Sequence, residues 1–386
     1  MSKDQRRSIS CLSASLLVAG MNIGAGMLTI PSHTARSGFF PSVCSQIICW
    51  FVMASLGTLL AEFGLRDKRE NGIIPLVHRT FGKKCAHLSG GAYWILFYSL
   101  AIAYADGLKR VAQNLFDLPP LTSSLLPTFL CSIIFFLLAK KKCWISWINN
   151  ILMLTLITLY FSLIGGIREI QPSLILHTCW SLWKESLPIM IGSFAYQFII
   201  PTLNEYCMYQ RKKVFSAIWV GTGIPFLVYL LWNLLVLGVL TPEQLLSHPD
   251  SVVIPLVQAL HQPLLSQLSG FFSLFAIITS LLGLILSFCK FLSTPSSSLP
   301  SCKNHSIGKS ALFFAPPLLF ALFYSNLFLT AFTKYFVGTT LFLFGLLPIL
   351  ACWKKGFQTT NWYHQDVMLF SYLIFLIYSC LQIFLR

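Results

Sequence analysis

Two short stretches of this 386-residue chain set glycine and polar residues inside runs that are otherwise continuously apolar. The first is Gly20-Met21-Asn22-Ile23-Gly24-Ala25-Gly26-Met27-Leu28-Thr29-Ile30-Pro31. The second runs from Pro188 to Pro201 and carries Gly192, Ser193, Phe194, Tyr196 and Gln197 between its prolines. A pair such as Gly20 and Gly24 also serves plain helix packing, and one such motif has little specificity. Two interruptions at corresponding places in two halves say more, because in transporters built from inverted repeats they mark the binding site.

The chemistry follows from the backbone. A helix unwound at mid-membrane exposes N–H groups on its following half and C=O groups on its preceding half. The N–H end attracts an anion and the C=O end a cation. A zwitterionic amino acid carries both. The expected contacts are its carboxylate on the backbone of Gly24, Ala25 and Gly26, and its ammonium on carbonyls near Gly192 and Ser193. Glycine lets a ligand approach the backbone, so valine at Gly26 is expected to abolish uptake. Asn22, Ile23, Phe194 and Tyr196 are the pocket residues that this placement implies.

Such breaks need spans to hold them. Hydrophobic residues make up 56% of the chain and charged ones 10%, against about 25% charged in soluble domains. Apolar runs near 9–31, 39–64, 85–116, 121–139, 144–165, 182–206, 214–240, 264–292, 311–327, 332–352 and 367–385 approach or exceed the ~20 residues that cross hydrocarbon. The reading is an all-α polytopic membrane protein, a single transmembrane domain of about eleven helices with helices 1 and 6 discontinuous. Its first repeat covers about 9–165, its second about 182–352, and an extra helix about 367–385. The third run is long enough to imply a strong tilt. Residues 251–260 are apolar but too short to span and read as a re-entrant or surface helix, and 293–310 as a flexible linker.

Charge gives the orientation. Most of the 27 basic residues fall in alternate loops, among them Lys3, Arg6, Arg7, Arg66, Lys68, Arg69, Lys140–Lys142, Arg211–Lys213, Lys290, Lys354 and Lys355. The stretch 241–263 has none. By the positive-inside rule the N-terminus is cytoplasmic and the C-terminus outside. The net charge of +15 does not form the aromatic-interleaved stripe of a nucleic-acid binder. Of the twelve cysteines, Cys11, Cys44, Cys49, Cys131, Cys207, Cys289, Cys352 and Cys380 sit in or beside apolar runs, where they act as small hydrophobes, and no metal or cofactor is expected. No GxSxG, HExxH or P-loop motif occurs, so an enzyme or an ATP-driven pump is not expected.

Three segments carry a family resemblance. Ile23-Gly24-Ala25-Gly26-Met27-Leu28 with Pro31, then Ser193-Phe194 through Ile200-Pro201-Thr202-Leu203 to Tyr206, then Thr279-Ser280-Leu281-Leu282-Gly283 resemble, in order, signatures of the hydroxy/aromatic amino acid permease family. The resemblance implies the leucine-transporter-like 5+5 inverted-repeat fold of the amino acid–polyamine–cation superfamily. It also implies uptake of tyrosine or tryptophan coupled to protons, with sodium possible. Thr279 and Ser280 would then face the first-helix break in the coupling-ion region, although hydroxyls in a span also bond back to their own helix. The chain departs from the family at Phe194-Ala195-Tyr196-Gln197, where the pattern is Phe-Gly-Phe-His, and at Lys290, where it is aspartate. A permease for another neutral amino acid, such as serine or a branched one, is the alternative.

Ionisable groups at membrane depth are functional candidates by default. Asp106 precedes Lys109 and Arg110 at helical spacing, so a structural ion pair is expected. Glu62 is expected to meet Arg66 and Arg69, and Glu205 to act as an inner-gate or interfacial charge.

Overall fold

A chain with no water along most of its length has to satisfy each backbone N–H and C=O within its own segment, which selects helix. The computed structural model describes residues 10–140, 142–163, 169–247, 252–260, 263–292, 315–316, 318–320 and 331–354. Among the described residues the regular structure is helical, and the one β contact is the isolated bridge between Gly38 and Thr178.

In chain order the helices are α1 (Cys11–Asn22), α2 (Ala25–Thr34), α3 (Phe39–Arg66), α4 (Ile73–Phe81), α5 (Lys83–Phe116), α6 (Pro120–Lys140) and α7 (Lys142–Leu163). They continue with α8 (Pro172–Leu176), α9 (Leu187–Ser193), α10 (Ile200–Tyr206), α11 (Arg211–Val239), α12 (Pro242–Ser247), α13 (Val253–Leu260) and α14 (Pro263–Leu292). The last described span alternates π-helical turns, Ala331–Phe336 and Leu341–Leu346, with α15 (Val337–Thr340) and α16 (Leu347–Lys354).

Among the described residues, six stretches are long and apolar enough to cross a bilayer: Phe39–Arg66, Lys83–Phe116, Trp180–Tyr206, Arg211–Val239, Gln267–Leu292 and Lys334–Lys354. Cys11–Asn22, Thr122–Ile134 and Trp147–Phe161 are shorter apolar helices. At 34 residues, α5 is about 50 Å long, well beyond the ~30 Å of a hydrocarbon core. The exterior carries exposed Phe129, Leu154, Phe161 and Leu227, while Asn22, Gln46, Gln197, Thr222 and Asn233 are buried. In water that distribution would be inside out; in lipid it is the expected one. This is a polytopic helical membrane protein.

The expected linker at 293–310, the extra helix at 367–385, the N-terminal Lys3, Arg6 and Arg7, and most of the expected span at 311–327 lie outside the described residues. The short helix α4 was not anticipated. At nine residues it cannot span, and it lies with Ile73, Ile74, Leu76 and Val77 buried and His78 and Arg79 exposed.

Two long helices organise the rest. Helix α11 packs along α1 and α3, and α14 along α7 and α5. One end of the bundle is rich in basic residues and joined by ion pairs. Glu62 takes Arg66 at 3.0 Å and Arg211 of α11 at 3.1 Å. Glu205 pairs with Lys290, bringing α10 to the end of α14. Arg69 lies past the end of α3, 3.8 Å from Asp67, so Arg211 stands where the sequence suggested Arg69. Asp67 also pairs with Arg79. Within α5, Asp106 holds Arg110 at 3.1 Å, as its spacing predicts.

Candidate functional site

Both interruptions are real breaks. In the first, Ile23 (φ −71°, ψ 86°) and Gly24 (φ −137°, ψ −164°) separate α1 from α2. The Ile23 N–H still reaches the Ala19 carbonyl at 2.8 Å, and the Met27 N–H the Gly24 carbonyl at 3.1 Å. Ala25 and Gly26 therefore form the first turn of α2, where N–H groups have no carbonyl within their own helix.

In the sixth span, α9 stops at Ser193 and Phe194-Ala195-Tyr196 is not helical. A 3₁₀ turn at Gln197–Ile199 leads into α10. Pro188 and Pro201 sit in the first turns of α9 and α10, where a missing N–H costs no helical bond.

A single phenol joins the two breaks. Tyr229 of α11 is fully buried, and its oxygen lies 2.5 Å from the Asn22 carbonyl and 3.0 Å from the Ser193 carbonyl. Its ring rests on Phe194, centroids 5.2 Å apart. From α14, the Ser280 hydroxyl donates to the Gly20 carbonyl at 3.1 Å and meets the Tyr104 hydroxyl of α5. Both stand against Gly24, where a Cβ would lie 2.6 Å from Ser280 Oγ and 3.7 Å from Tyr104 Oη. Helix α14 comes this close because Gly283 has no side chain; a Cβ there would overlap the sulfur of Met21.

The expected site residues separate into two groups. Asn22, Ile23, Gly24, Gly192, Ser193, Phe194 and Ser280 are buried at or beside the breaks. The Asn22 side chain donates to the Val18 carbonyl at 3.0 Å, and its Oδ1 has no donor among the described residues. The Gly192 carbonyl takes the Ala195 N–H at 3.3 Å, so the Ser193 carbonyl is the one turned to Tyr229. Ser193 Oγ bonds back to Ile189 at 2.8 Å and Thr279 Oγ1 back to Ala276 at 2.9 Å. Of the two hydroxyls at 279 and 280, only Ser280 reaches across to the first helix.

Tyr196 and Gln197 go the other way, into α3. A Cβ on Gly57 would lie 2.0 Å from the Tyr196 hydroxyl, and Gln197 Nε2 donates to the Met53 carbonyl at 3.0 Å. Further along, Asn204 donates to Asn71 Oδ1 at 2.9 Å, and Asn71 to the Pro201 carbonyl at 3.0 Å. Tyr229, Tyr104 and Gly57 are the residues that sequence reasoning missed. A glycine amid the apolar α3 was the one visible signal.

A sequence model of the tryptophan/tyrosine permease family matches residues 7–384. The chain belongs to the tryptophan/tyrosine permease family. It is therefore a member of a transporter family rather than an enzyme family. The tyrosine-specific transport system 2 of Haemophilus influenzae is 28% identical over 361 residues, covering 89% of this chain and 88% of the relative. The tryptophan-specific transport protein of the same organism is 26% identical over 343 residues, 82% and 81% of the two chains. Glutamine transporter 2 of Aliivibrio fischeri is 25% identical over 289 residues, 71% and 72%.

Proposed function

We propose that this permease is a secondary active transporter that imports tyrosine, tryptophan or both by alternating access. The observation that carries the reading is the meeting of two broken helices at Tyr229 in a chain whose relatives include tyrosine- and tryptophan-specific transport proteins. In this reading the fold is the leucine-transporter-like 5+5 inverted repeat of eleven spans, with repeats near 9–165 and 182–352 and an extra helix at 367–385. The basic end of the bundle faces the cytoplasm of a bacterial cell, the N-terminus with it, and the C-terminus lies outside.

The substrate carboxylate takes the first-turn N–H groups of Ala25 and Gly26 and the backbone at Gly24, where the α2 dipole is positive. The ammonium takes the carbonyls of Asn22 and Ser193 at the ends of α1 and α9, where the dipoles are negative. Asn22 Oδ1, buried and without a donor among the described residues, is a third acceptor, and a buried acceptor left unmatched is costly. Ile23 and Phe194 line the side-chain space, with Gly192 behind it. Tyr196, held on α3, supports the wall from outside. The coupling ion is a proton, with sodium the alternative, in the region of Thr279 and Ser280.

The test is uptake of radiolabelled tyrosine into proteoliposomes under an imposed proton or sodium gradient, with tryptophan, phenylalanine, serine, leucine and glutamine as competitors. Accumulation with an inward proton gradient, blocked by tryptophan and phenylalanine, is expected. No accumulation of any aromatic amino acid from a well-folded preparation would overturn the assignment. A second reading, a permease for another neutral amino acid, has support in the glutamine transporter relative and in Ala195-Tyr196-Gln197. Competition by glutamine, serine or leucine in preference to tryptophan would select it.

A further inference from the structure

The point that the proposed function gives to the substrate ammonium already has an occupant. Tyr229 Oη lies 2.5 Å from one break carbonyl and 3.0 Å from the other. An ammonium nitrogen bridging the same two oxygens would sit at closely similar distances. The phenol has one proton for two acceptors, whereas an ammonium has three.

The helix that carries the phenol is held in register. Four residues along α11, Asn233 donates to Ser42 Oγ at 2.7 Å and its Oδ1 accepts from Thr34 at 3.0 Å. These bonds tie α11 to the far end of α2 and the start of α3. Nearer the basic end, Gly221 lets α11 close onto α1, since a Cβ there would lie 2.7 Å from the Ser15 carbonyl. The register of α11 along both halves of the first helix is thus set on either side of Tyr229.

We propose that the Tyr229 hydroxyl is a built-in stand-in for the substrate's amino group. It satisfies the Asn22 and Ser193 carbonyls in the empty transporter and gives them up when an amine binds. This rests on the reading that the breaks bind a zwitterion. Two carbonyls buried at membrane depth need a donor in every state. A shared phenol proton meets that need without matching a cation, so the seat stays exchangeable. The arrangement also selects. A ligand without an amine offers nothing to take over the carbonyls and leaves the phenol where it is.

The experiment measures equilibrium binding of radiolabelled tyrosine, and of its deaminated analogue 3-(4-hydroxyphenyl)propionate, to the full chain in lipid nanodiscs, wild type against Y229F. Phenylalanine keeps the ring on Phe194 and removes the competing donor. Tyrosine is expected to bind about three- to tenfold more tightly to the variant, the equivalent of one net hydrogen bond, with the analogue's affinity unchanged. Weaker or unchanged tyrosine binding would make Tyr229 an ordinary structural bond and overturn the proposal. So would an equal gain for the deaminated analogue. A wild type that binds no amine-bearing amino acid overturns the functional reading itself, a result separate from either. Where Y229F is not recovered folded, 4-fluorophenylalanine at the same position makes the same comparison with nearly the volume of tyrosine.

Discussion

The first-helix break and the sixth-helix break open the same kind of gap by opposite means. Around the first, the chain's own side chains are small, Gly24, Ala25 and Gly26, and other helices reach in: Ser280 from α14, Tyr104 from α5, Tyr229 from α11. Around the sixth, the chain's own side chains are large and buried, Phe194, Tyr196 and Phe198, and they reach out. Tyr196 and Gln197 attach to α3, and Phe198 meets Phe97 at 6.1 Å. Unwinding frees backbone groups in both places. In the first break, bare backbone faces hydroxyls; in the second, a wall of side chains is anchored to a continuous neighbour. Two breaks that look alike as motifs thus divide the labour between a backbone surface and a fixed support.

The largest expected effect is at the bare break. Gly24 has extended φ and ψ, which β-branched residues adopt readily, so Gly24→Val brings no backbone strain of its own. Its Cβ would lie 2.6 Å from Ser280 Oγ, and its two methyls would fill the space beside Tyr104. Loss of measurable uptake with retained membrane expression is expected, read by tyrosine accumulation and fluorescence-detected size exclusion. Normal uptake in a well-expressed Gly24→Val would show that the first break is packing and not a binding surface.

A smaller effect is expected on the supported side. Gly57→Ala puts a Cβ 2.0 Å from the Tyr196 hydroxyl and 2.7 Å from its ring carbon Cζ. The ring is fully buried and cannot swing clear, so overpacking of about 1–3 kcal/mol follows. Tyr196→Leu loses packing by itself, yet it makes room for that methyl. The double variant should therefore be more stable than the sum of the singles predicts, by an interaction of about 1 kcal/mol or more, read from thermal unfolding in detergent. Strict additivity would mean that Tyr196 does not sit in the Gly57 notch. Uptake by Gly57→Ala should fall less than by Gly24→Val, because the damage reaches the ligand only through the wall.

What the sequence disclosed and what it hid follow the same division. Both breaks were legible, because glycine and polar residues stand out against an apolar background and proline fixes where a half-helix restarts. Spans were legible for the reason that makes them spans: a long apolar run has one low-energy backbone solution in lipid. Tyr229 was not, since its partners lie 207 and 36 residues away and one tyrosine among 13, beside 33 phenylalanines, carries no local mark. The direction of Tyr196 was hidden as well. Its position on the broken helix suggested a place beside the ligand, whereas the Gly57 notch on α3 draws the hydroxyl away, and that depends on how two helices are registered. Helix α4 escaped because nine residues of mixed polarity resemble a loop until Ile73, Ile74, Leu76 and Val77 find a surface to cover.

The smallest effect tests whether the supported side is also tethered at its basic end. Glu205, closing the sixth span, pairs with Lys290 at the end of α14, the helix whose Ser280 touches the first break. Both side chains are more than a third exposed or nearly so, 40% and 34%, and pairs of that kind contribute only about 0.2–1 kcal/mol. Lys290 also has contacts beyond Glu205, so single substitutions mix several losses, and a double-mutant cycle of Glu205→Gln and Lys290→Met isolates the pair. A coupling within that range, weakened by added salt, is expected in thermal unfolding. If the bond tethers α10 to α14 through the transport cycle, both singles should change the maximal uptake rate in the same direction while leaving the concentration for half-maximal uptake nearly unchanged. A shift in that concentration instead would place the ion pair in the ligand's path, and would extend the reach of the sixth-helix half from support to contact.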